Sequence, residues 1–195
     1  PVVQVVATDK DEGVNQAITY SIISGNEDGQ FNINQANGQI TLVGLIDRES
    51  QNSYVLKVLA SNPGSEDQNG ATCTVSVTIL DVNDNSPLFA QSVYEVALSE
   101  NHVIGDEIIQ FVATDTDLGI NAEIVYSVSG GDNHFIIDVN TGRLYLNRGL
   151  DYESKHEYKL NISASDKGSP SVMPTYASLT IKVKDENDNV PTFIN

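Results

Sequence analysis

Short apolar runs that alternate with polar positions recur along the whole chain. An alternation with a period of two is typical of half-buried strands. Gln35-Ala36-Asn37-Gly38 and Asn140-Thr141-Gly142 lie between apolar runs and predict hairpin turns. No segment keeps a helical period. The pattern predicts strands at 72–80, 93–98, 108–113, 123–128, 143–146, 158–164 and 176–183.

Six or seven short strands in about 100 residues predict an all-β fold, a two-sheet Greek-key sandwich of immunoglobulin-like architecture. Within the strand at 158–164, Leu160 and Ile162 should face the core. Lys159, Asn161 and Ser163 should then face water. Cys73, the only cysteine, lies in the predicted strand 72–80, and we expect it to be a half-buried apolar residue.

The chain repeats itself. An offset of 104 residues relates Gly38 to Gly142 and Tyr54 to Tyr158, and an offset of 106 relates Tyr20 to Tyr126. A loop at 24–30 can absorb the two-residue difference. Such a long period predicts two tandem domains, 1–85 and 86–189, followed by the beginning of another repeat or a linker at 190–195.

Charge excludes some functions. The formal net charge is −17, from 27 acidic and 10 basic residues, so nucleic acid is a poor partner. The 39% hydrophobic content is sufficient for small cores, and the regular alternation argues against disorder. No apolar run is long enough for a membrane span, and no signal-peptide pattern is present in this sequence.

The most specific motif is an acidic pentapeptide present twice, at 81–85 and 185–189, each followed by Pro-x-Phe. Its carboxylates, amides and free backbone carbonyls are the oxygen ligands that a hard divalent cation such as calcium prefers. Because the copies are one domain length apart, the predicted ion belongs to the junctions between repeats.

Other acidic clusters recur at the same offsets. Asp47-Arg48-Glu49 matches Asp151-Tyr152-Glu153, Asp9-x-Asp11 matches Asp115-x-Asp117, and Ser99-Glu100-Asn101 follows the first strand of the second repeat. Each close pair of carboxylates repels by about 4 kcal/mol at an effective dielectric near 20. A bound metal is the best candidate to offset this repulsion, since only ten Lys and Arg are scattered along the chain.

In this order, and present twice, the motifs resemble those of tandem extracellular cadherin repeats over essentially all 195 residues. The resemblance implies the sandwich fold, no enzymatic activity, and three calcium ions at the junction. The implied ligands are Asp47, Glu49, Asp81, Asn83, Asp84, Asp115, Asp117 and Asp166, with backbone carbonyls of Val82, Asn85 and Asn121.

The resemblance also implies half-sites at both ends of the chain. Glu100, Asp151, Glu153, Asp185 and Asp188 would form the near half of a second junction, and Asp9, Asp11 and Asn15 the far half of an earlier one. Asn62 stands where the second repeat has Asp166, which predicts weaker ion binding there. A bridging Glu is expected upstream of Pro1, so the chain should begin inside a repeat, without its first strand.

The expected function is calcium-dependent cell–cell adhesion by an extracellular part of a single-pass plasma-membrane glycoprotein. The expected partners are neighbouring repeats and another cadherin on an apposed cell, homophilic or heterophilic. Without any Trp, these repeats cannot swap a tryptophan as adherens-junction cadherins do, and they resemble interior repeats of the Fat/Dachsous or protocadherin type. Asn161-Ile162-Ser163 is an N-glycosylation sequon.

Other functions remain open at this point. A calcium-dependent carbohydrate-binding sandwich would use similar ligands. An EF-hand is suggested by Asp115-x-Asp117-x-Gly119, but the flanking segments are strands and the loop has no Glu at its twelfth position. Asp151 and Glu153 could be glycosidase carboxylates, although their presence in both repeats fits ligands better. His102, His134 and His156 are isolated in sequence, which does not support a zinc site or a catalytic triad.

Overall fold

A computed structural model of the chain describes residues 1–11, 16–63, 70–191 and 193. The chain divides into two compact units, Pro1–Asp81 (unit 1) and Val82–Asn195 (unit 2). The regular secondary structure of both units is almost entirely β-strand, which confirms the predicted all-β class.

Unit 1 contains two three-stranded antiparallel sheets, with the orders β1-β4-β3 and β2-β5-β6. Their buried side chains form one core that includes Ile40, Leu56 and Val58. The strands are β1 (Val3–Gln4), β2 (Thr19–Ser24), β3 (Phe31–Ile33), β4 (Gln39–Leu42), β5 (Ser53–Ser61) and β6 (Gly70–Thr78).

Unit 2 contains a four-stranded sheet, a three-stranded sheet and a short two-stranded pairing. The strands are β7 (Leu88–Phe89), β8 (Val93–Ser99), β9 (Glu107–Gln110), β10 (Ala113–Thr114), β11 (Ile124–Gly130), β12 (Phe135–Ile137), β13 (Arg143–Leu146), β14 (Glu157–Asp166) and β15 (Thr175–Lys184). The sheet orders are β11-β14-β15-β8, β12-β13-β9 and β10-β7, and β8 is parallel to β15. Short 3-10 turns lie at Gly119–Ala122 and Gly131–Asn133.

The core of unit 2 follows the predicted alternation. Leu160 and Ile162 on β14 are buried, whereas Lys159 and Asn161 are exposed. Ser163 is half-buried rather than exposed, because its hydroxyl pairs with Ser127 at 2.7 Å. Each fully buried aliphatic side chain contributes about 1.5–3 kcal/mol, so the register of β14 is strongly specified.

Both predicted hairpin turns are present, and glycine explains their geometry. Gly38 and Gly142 have φ of 70° and 68°, a left-handed conformation that other residues rarely adopt. A Cβ on Gly38 would lie 2.3 Å from the Val5 carbonyl oxygen, and one on Gly142 would lie 2.4 Å from that of Phe111. The same close approach therefore occurs in both units.

Two predictions need correction. The strand expected at 108–113 is divided into β9 and β10, because Phe111 between them turns fully into the core. Cys73, expected to be half-buried, is exposed. It lies on β6, which ends its sheet and has no neighbour on its outer side among the residues that the structure describes.

Candidate metal centre

The linker enters unit 2 through Asn83, whose side chain is buried. Its Nδ2 amide donates to Asp166 Oδ1 at 2.8 Å and to the Pro170 carbonyl at 2.7 Å. The other atom of the amide, Oδ1, is buried without a hydrogen-bond partner. Because an unpaired buried acceptor costs about 1–3 kcal/mol, this oxygen still needs a positively polarised partner.

Asp115 presents a second such oxygen. The Asp117 backbone N–H donates to Asp115 Oδ1 at 3.0 Å, but Oδ2 is buried without a hydrogen-bond partner. Burial raises the pKa of Asp115, and the neighbouring carboxylates of Asp117 and Asp166 raise it further. Burial and the neighbouring carboxylates thus disfavour the ionised form of Asp115, and a bound cation would favour it.

Asn85 connects two more carboxylates of the same group. Its Nδ2 donates to Asp117 Oδ1 at 2.7 Å and to Asp84 Oδ1 at 2.9 Å, and its backbone N–H donates to Asp117 Oδ2 at 3.2 Å. One carboxylate oxygen of Asp84 lies within 4.8 Å of one from Asp117. Within unit 2, hydrogen bonds thus connect Asp84 to Asp117 through Asn85, Asp115 to Asp117, and Asn83 to Asp166.

Gly168 is a component of this arrangement that sequence reasoning missed. Its N–H donates to Asp166 Oδ1 at 2.7 Å. A Cβ at this position would lie 2.4 Å from Asn83 Cγ and 2.5 Å from Asn121 Oδ1. Only glycine leaves room for both side chains, and the signal in the sequence was a glycine two residues after an acidic ligand.

In unit 1, Asp47 begins a turn in which its Oδ1 accepts from the Glu49 N–H at 2.9 Å and its Oδ2 from the Ser50 hydroxyl at 2.7 Å. The Ser50 hydroxyl and the Glu49 N–H hold the pKa of Asp47 below its usual value. These hydrogen bonds therefore favour the ionised form of the Asp47 carboxylate.

Arg48 is a second residue that the motif did not identify as important. It forms ion pairs with Glu49 and, through Nε at 2.5 Å, with Asp81. Its side chain is only 11% exposed. The guanidinium therefore neutralises two predicted ligands of unit 1. The second repeat has an uncharged residue, Tyr152, at the position of Arg48.

The opposite end of unit 2 holds another acidic group. Glu100 is 6% exposed, and its carboxylate accepts from the Tyr152 N–H at 2.6 Å and from the Glu186 N–H at 2.7 Å. Glu100, Glu153 and Asp188 each place a carboxylate oxygen within 4.8 Å of the others. Three of the five predicted half-site residues thus come together.

In the second acidic pentapeptide the Asn189 amide donates to Asp188 Oδ1 at 2.6 Å, as the Asn85 amide donates to Asp84. The other acceptor differs: Asn189 donates to Glu153 Oε1 at 2.8 Å, in the repeat before its linker, whereas Asn85 donates to Asp117, in the repeat after its linker. Asp151 accepts from the Ser154 hydroxyl at 2.7 Å, whereas Asp185 is exposed and is not part of the carboxylate group.

The predicted half-site at the start of unit 1 is organised differently. Asp9 Oδ1 accepts from the Asp11 N–H at 2.9 Å, as in the Asp115 turn, but Asp9 Oδ2 accepts from the Asn62 amide at 2.9 Å. These two bonds lower the pKa of Asp9. Asp9 Oδ2 therefore has an amide donor, whereas the matching oxygen of Asp115 is buried without a hydrogen-bond partner. Asn15, the third predicted residue, lies outside the described residues.

The remaining predicted positions are backbone carbonyls and the sequon. The Val82 carbonyl accepts from the Asp84 N–H at 2.9 Å. Asn121 lies in the 3-10 turn Gly119–Ala122. Asn161 is exposed on β14.

The donor set of unit 2 fits a hard cation. Every side-chain ligand offered is a carboxylate or amide oxygen, and two of these oxygens are buried and unpaired. His102, His134 and His156 belong to neither of the groups in the described chain that could hold a metal. None of the helices described is long and apolar enough to cross a bilayer.

Comparison with known proteins agrees with this geometry. The family described as "Cadherin domain" matches residues 1–80 and 94–184. "Protocadherin Fat 4" of Mus musculus is 45% identical over 194 residues, 98% of this chain and 4% of that protein. "Protocadherin Fat 1" of Homo sapiens is 43% identical over 192 residues, 97% of this chain and 4% of that protein.

A solved structure extends the similarity to the fold. Mouse cadherin-23 EC22-24 has a TM-score of 0.85 and 32% identity, covering 95% of this chain and 60% of that one. The expected resemblance to long, non-classical cadherins is confirmed by the Fat relatives, of which the chain spans only a small part. With both repeats matched by the family, the chain belongs to the cadherin family.

Proposed function

We propose that the chain is part of an adhesion ectodomain in which calcium bound at the 81–85 linker stiffens the connection between repeats. The observation that carries the proposal is the pair of buried oxygens, Asn83 Oδ1 and Asp115 Oδ2, that have no hydrogen-bond partner. Protein oxygens satisfy their desolvation cost with a donor or a cation. In a set of carboxylates this dense, a cation is the favourable choice.

Bound calcium would supply positive charge and take about 6–8 oxygen ligands. Unit 2 and the linker would provide most of them, and unit 1 would provide its acidic turn. The proposed ligands are the side chains of Asp47, Glu49, Asp81, Asn83, Asp84, Asp115, Asp117 and Asp166 and the backbone carbonyls of Val82, Asn85 and Asn121.

The mechanism is electrostatic. Without the ion, like charges on the two repeats and on a short linker repel, which favours open and variable linker conformations. With the three proposed ions bound, ligands from both repeats and the linker would share them, and the joint would stiffen. The group of Glu100, Glu153 and Asp188 would serve a following repeat in the same way.

The calcium affinity expected for such a module fits an extracellular location. Extracellular calcium modules bind at roughly 10⁻⁴ to 10⁻³ M, a range suited to a cation that is abundant outside cells and scarce within them. As a member of the cadherin family the chain is not an enzyme. We place it in the extracellular part of a single-pass plasma-membrane protein. Its partners would be neighbouring repeats and a cadherin on an apposed cell, homophilic or heterophilic.

The test of calcium binding uses calorimetry and small-angle scattering of the whole chain with calcium or a chelator. We expect heat and thermal stabilisation at millimolar calcium, together with a narrower distribution of interatomic distances. Asp115→Asn should lose most of this response. Asp106→Asn, at an exposed position away from the ligands, is the charge-matched control and should keep it. Equal responses of the two variants would refute the assignment of the site.

The test of adhesion uses beads coated with the chain. Calcium-dependent aggregation of identical beads would support homophilic contact through these repeats. Aggregation only with beads that carry a different cadherin would support heterophilic contact. If neither occurs, these repeats are not themselves adhesive and the adhesion part of the proposal fails.

We also propose that Asn161 carries an N-glycan when the chain is secreted. The side chain is exposed in the middle of β14, and Ser163 completes the sequon. Expression in a secreting eukaryotic cell should give a mass increase that Asn161→Gln abolishes. An unmodified mass in wild type would exclude the glycan.

A further inference from the structure

The four-stranded sheet of unit 2, β11-β14-β15-β8, has a buried face and an exposed face. Leu160 and Ile162 on β14 are buried in the core of the unit. Ala177 and Leu179 on β15 are buried there as well. Because side chains alternate along a strand, the residues between these four form the outer face. Asn161, the first residue of the sequon, is exposed on this outer face.

The register of the sheet places Asn161 between two small residues. It lies opposite Ser129 on β11 and opposite Ser178 on β15. Each of these neighbours carries only a hydroxymethyl group, so no long side chain fills the space on either side of Asn161. A group attached to Asn161 therefore has room to lie across the neighbouring strands.

The hydrogen bonds of the outer face do not use the Asn161 side chain. The Ser129 hydroxyl donates to the backbone carbonyl of Asn161 at 3.4 Å. The hydroxyls of Ser127 and Ser163 pair with each other at 2.7 Å. Among the described residues, none forms a hydrogen bond with the side-chain amide of Asn161. The nitrogen that would carry a sugar is therefore not held by the protein.

Tyr176 is the aromatic residue of this face. It lies opposite Ser163 on β14, which makes it a diagonal neighbour of Asn161. Diagonal neighbours in an antiparallel pair are about 7–8 Å apart, within reach of an aromatic side chain. Tyr176 is 56% exposed. The structure describes all eight tyrosines of the chain, and the other seven are buried or half-buried.

Unit 1 has neither the sequon nor the ring at the equivalent positions. At the offset of 104, Lys57 on β5 corresponds to Asn161 and Thr72 on β6 corresponds to Tyr176. Both residues of unit 1 are exposed. The strand pairing thus does not require an aromatic side chain here, since unit 1 has Thr. The exposed ring is present in the unit that has the sequon and absent from this face of the other.

We propose that the first N-acetylglucosamine of a glycan on Asn161 packs on the ring of Tyr176. This packing rests on the N-glycan proposed for Asn161 and adds a protein surface that holds its innermost sugar. One side of a pyranose ring presents mainly C–H hydrogens, and the electron-rich face of an aromatic ring attracts such weakly positive groups. Contact with the sugar would also remove apolar surface of the tyrosine from water.

The polar residues beside the ring suit a sugar as well. Ser129, Ser163 and Ser178 place hydroxyl oxygens next to Asn161, and each hydroxyl oxygen has two lone pairs to accept hydrogen bonds. The hydroxyl and acetamido N–H groups of the sugar are matching donors. An uncharged sugar therefore finds apolar and polar partners here without the burial of a charge.

A sugar held in this way has a consequence for protein contacts. The row of outer residues continues from Ser178 to Val93 on β8, the last strand of the sheet. A sugar lying over Tyr176 and Ser178 would shield the middle of the sheet from other proteins. An adhesive contact of unit 2 would then have to use a surface away from β14 and β15.

The test uses the full chain secreted from a eukaryotic cell, with the glycan trimmed by an endoglycosidase to one N-acetylglucosamine. Mass spectrometry measures the occupancy of Asn161. We expect the trimmed sugar to raise the thermal unfolding midpoint of unit 2 relative to Asn161→Gln. We also expect nuclear Overhauser effects between the sugar protons and the ring protons of Tyr176.

Two substitutions at position 176 separate the ring from its hydroxyl. Tyr176→Thr introduces the residue of unit 1, and it should lose most of the increase in midpoint that the sugar gives. Tyr176→Phe should keep this increase, because the packing uses the ring. Each variant is compared with its own form carrying Asn161→Gln, so that effects on stability that do not involve the sugar cancel.

The outcomes distinguish the presence of the glycan from its packing. An unmodified mass would overturn the glycan and the packing together. A glycosylated chain in which Tyr176→Thr keeps the full increase, or in which no Overhauser effect joins sugar and ring, would overturn the packing alone. Loss of the increase in Tyr176→Phe would also overturn it, because the hydroxyl and not the ring would then hold the sugar.

Discussion

The amide of Asn83 donates to Asp166 Oδ1 at 2.8 Å, across 83 residues of sequence. This bond fixes the linker to the end of β14 before any ion is considered. It also orients the amide so that its oxygen, and not its nitrogen, is buried without a hydrogen-bond partner. The linker of unit 2 is thus held in a form that already presents a ligand.

Removing the Asn83 amide should therefore have two effects. Asn83→Ala loses the bonds to Asp166 and Pro170, and at about 0.5–1.5 kcal/mol each this predicts a loss of about 1–3 kcal/mol in chelator. Denaturant unfolding would measure it, and calorimetry should show weaker calcium binding. Asn140→Ala, at an exposed turn position, should change neither quantity. A stable variant that binds calcium normally would contradict the role given to Asn83.

Gly168→Ala tests the tight packing around the same amide. Its Cβ would lie 2.4 Å from Asn83 Cγ, so either the linker or the 167–170 segment must move. Overpacking of this kind costs about 1–3 kcal/mol, and calcium binding should weaken with it. Gly149→Ala is the matched control, because nothing lies within 4 Å of its Cβ. The midpoint of thermal unfolding should be clearly lower for Gly168→Ala than for Gly149→Ala. Equal midpoints would show that the 167–170 segment accommodates the Cβ without loss of stability.

The period of two is a local signal, and it was sufficient for the all-β class and for most strands of unit 2. The repeated acidic motifs are local as well, and the ligand candidates that they nominate stay predictions. The contacts of Gly168 and Arg48 depend on segments distant in sequence, so the motifs could not reveal them. The exposure of Cys73 likewise depends on which strand lies beside β6. The grouping of Glu100 with Glu153 and Asp188, without Asp185, is also set by tertiary packing.

Exchanging the residues at the equivalent positions 62 and 166 tests why the acidic turn at Asp9 differs from the one at Asp115. Asp166→Asn would give unit 2 the amide that Asn62 provides beside Asp9. Such an amide can donate to Asp115 Oδ2, so the variant should be at least as stable as wild type in chelator. Its calcium affinity should fall by about tenfold or more, since a charged ligand is lost, and a tenfold change equals about 1.4 kcal/mol.

Calcium titration by calorimetry, combined with thermal unfolding in chelator, measures both effects of Asp166→Asn. The reverse substitution, Asn62→Asp, should destabilise unit 1 in chelator because it places a second carboxylate beside Asp9. If Asp166→Asn lowers stability and leaves calcium affinity intact, repulsion between the carboxylates of Asp166 and Asp115 does not explain the difference between the Asp9 turn and the Asp115 turn.

The hairpin turn at Asp138 predicts a dependence of stability on pH. Hydrogen bonds from the Thr141 N–H, the Thr141 hydroxyl and the Asn140 N–H lower the pKa of Asp138 from 3.8. A carboxyl whose pKa is lower in the folded state stabilises the fold above its unfolded pKa and loses that contribution as the pH falls through the folded pKa. Asp138 should thus add stability at neutral pH and none in strong acid.

Unit 1 supplies the matched variant, because Asn34 occupies the same turn position and accepts from the Ala36 and Asn37 N–H groups. Asp138→Asn should lower the unfolding midpoint of unit 2 slightly at neutral pH, and the difference should vanish below the folded pKa. Asn34→Asp should introduce the same acid sensitivity into unit 1. Midpoints measured across the acid range would decide, and a difference that does not depend on pH would contradict the assignment.

Arg48 gives the last prediction, which concerns unit 1 without its metal. The guanidinium pairs with Glu49 and Asp81, and its side chain is mostly buried. Arg48→Tyr introduces the residue that the second repeat has at this position, Tyr152, and so keeps bulk while removing the charge. The carboxylates then face each other without compensation, and we expect a loss of about 1–3 kcal/mol in chelator.

Calcium should reverse much of the Arg48→Tyr effect, because the ion would neutralise the same carboxylates. Unfolding of wild type and variant with and without calcium forms a double cycle that isolates this coupling. Arg143→Tyr, which removes an exposed arginine paired with Glu107, is the control and should show no dependence on calcium. If Arg48→Tyr lowers the free energy of unfolding equally in calcium and in chelator, calcium does not neutralise the carboxylates of Glu49 and Asp81 that Arg48 pairs with.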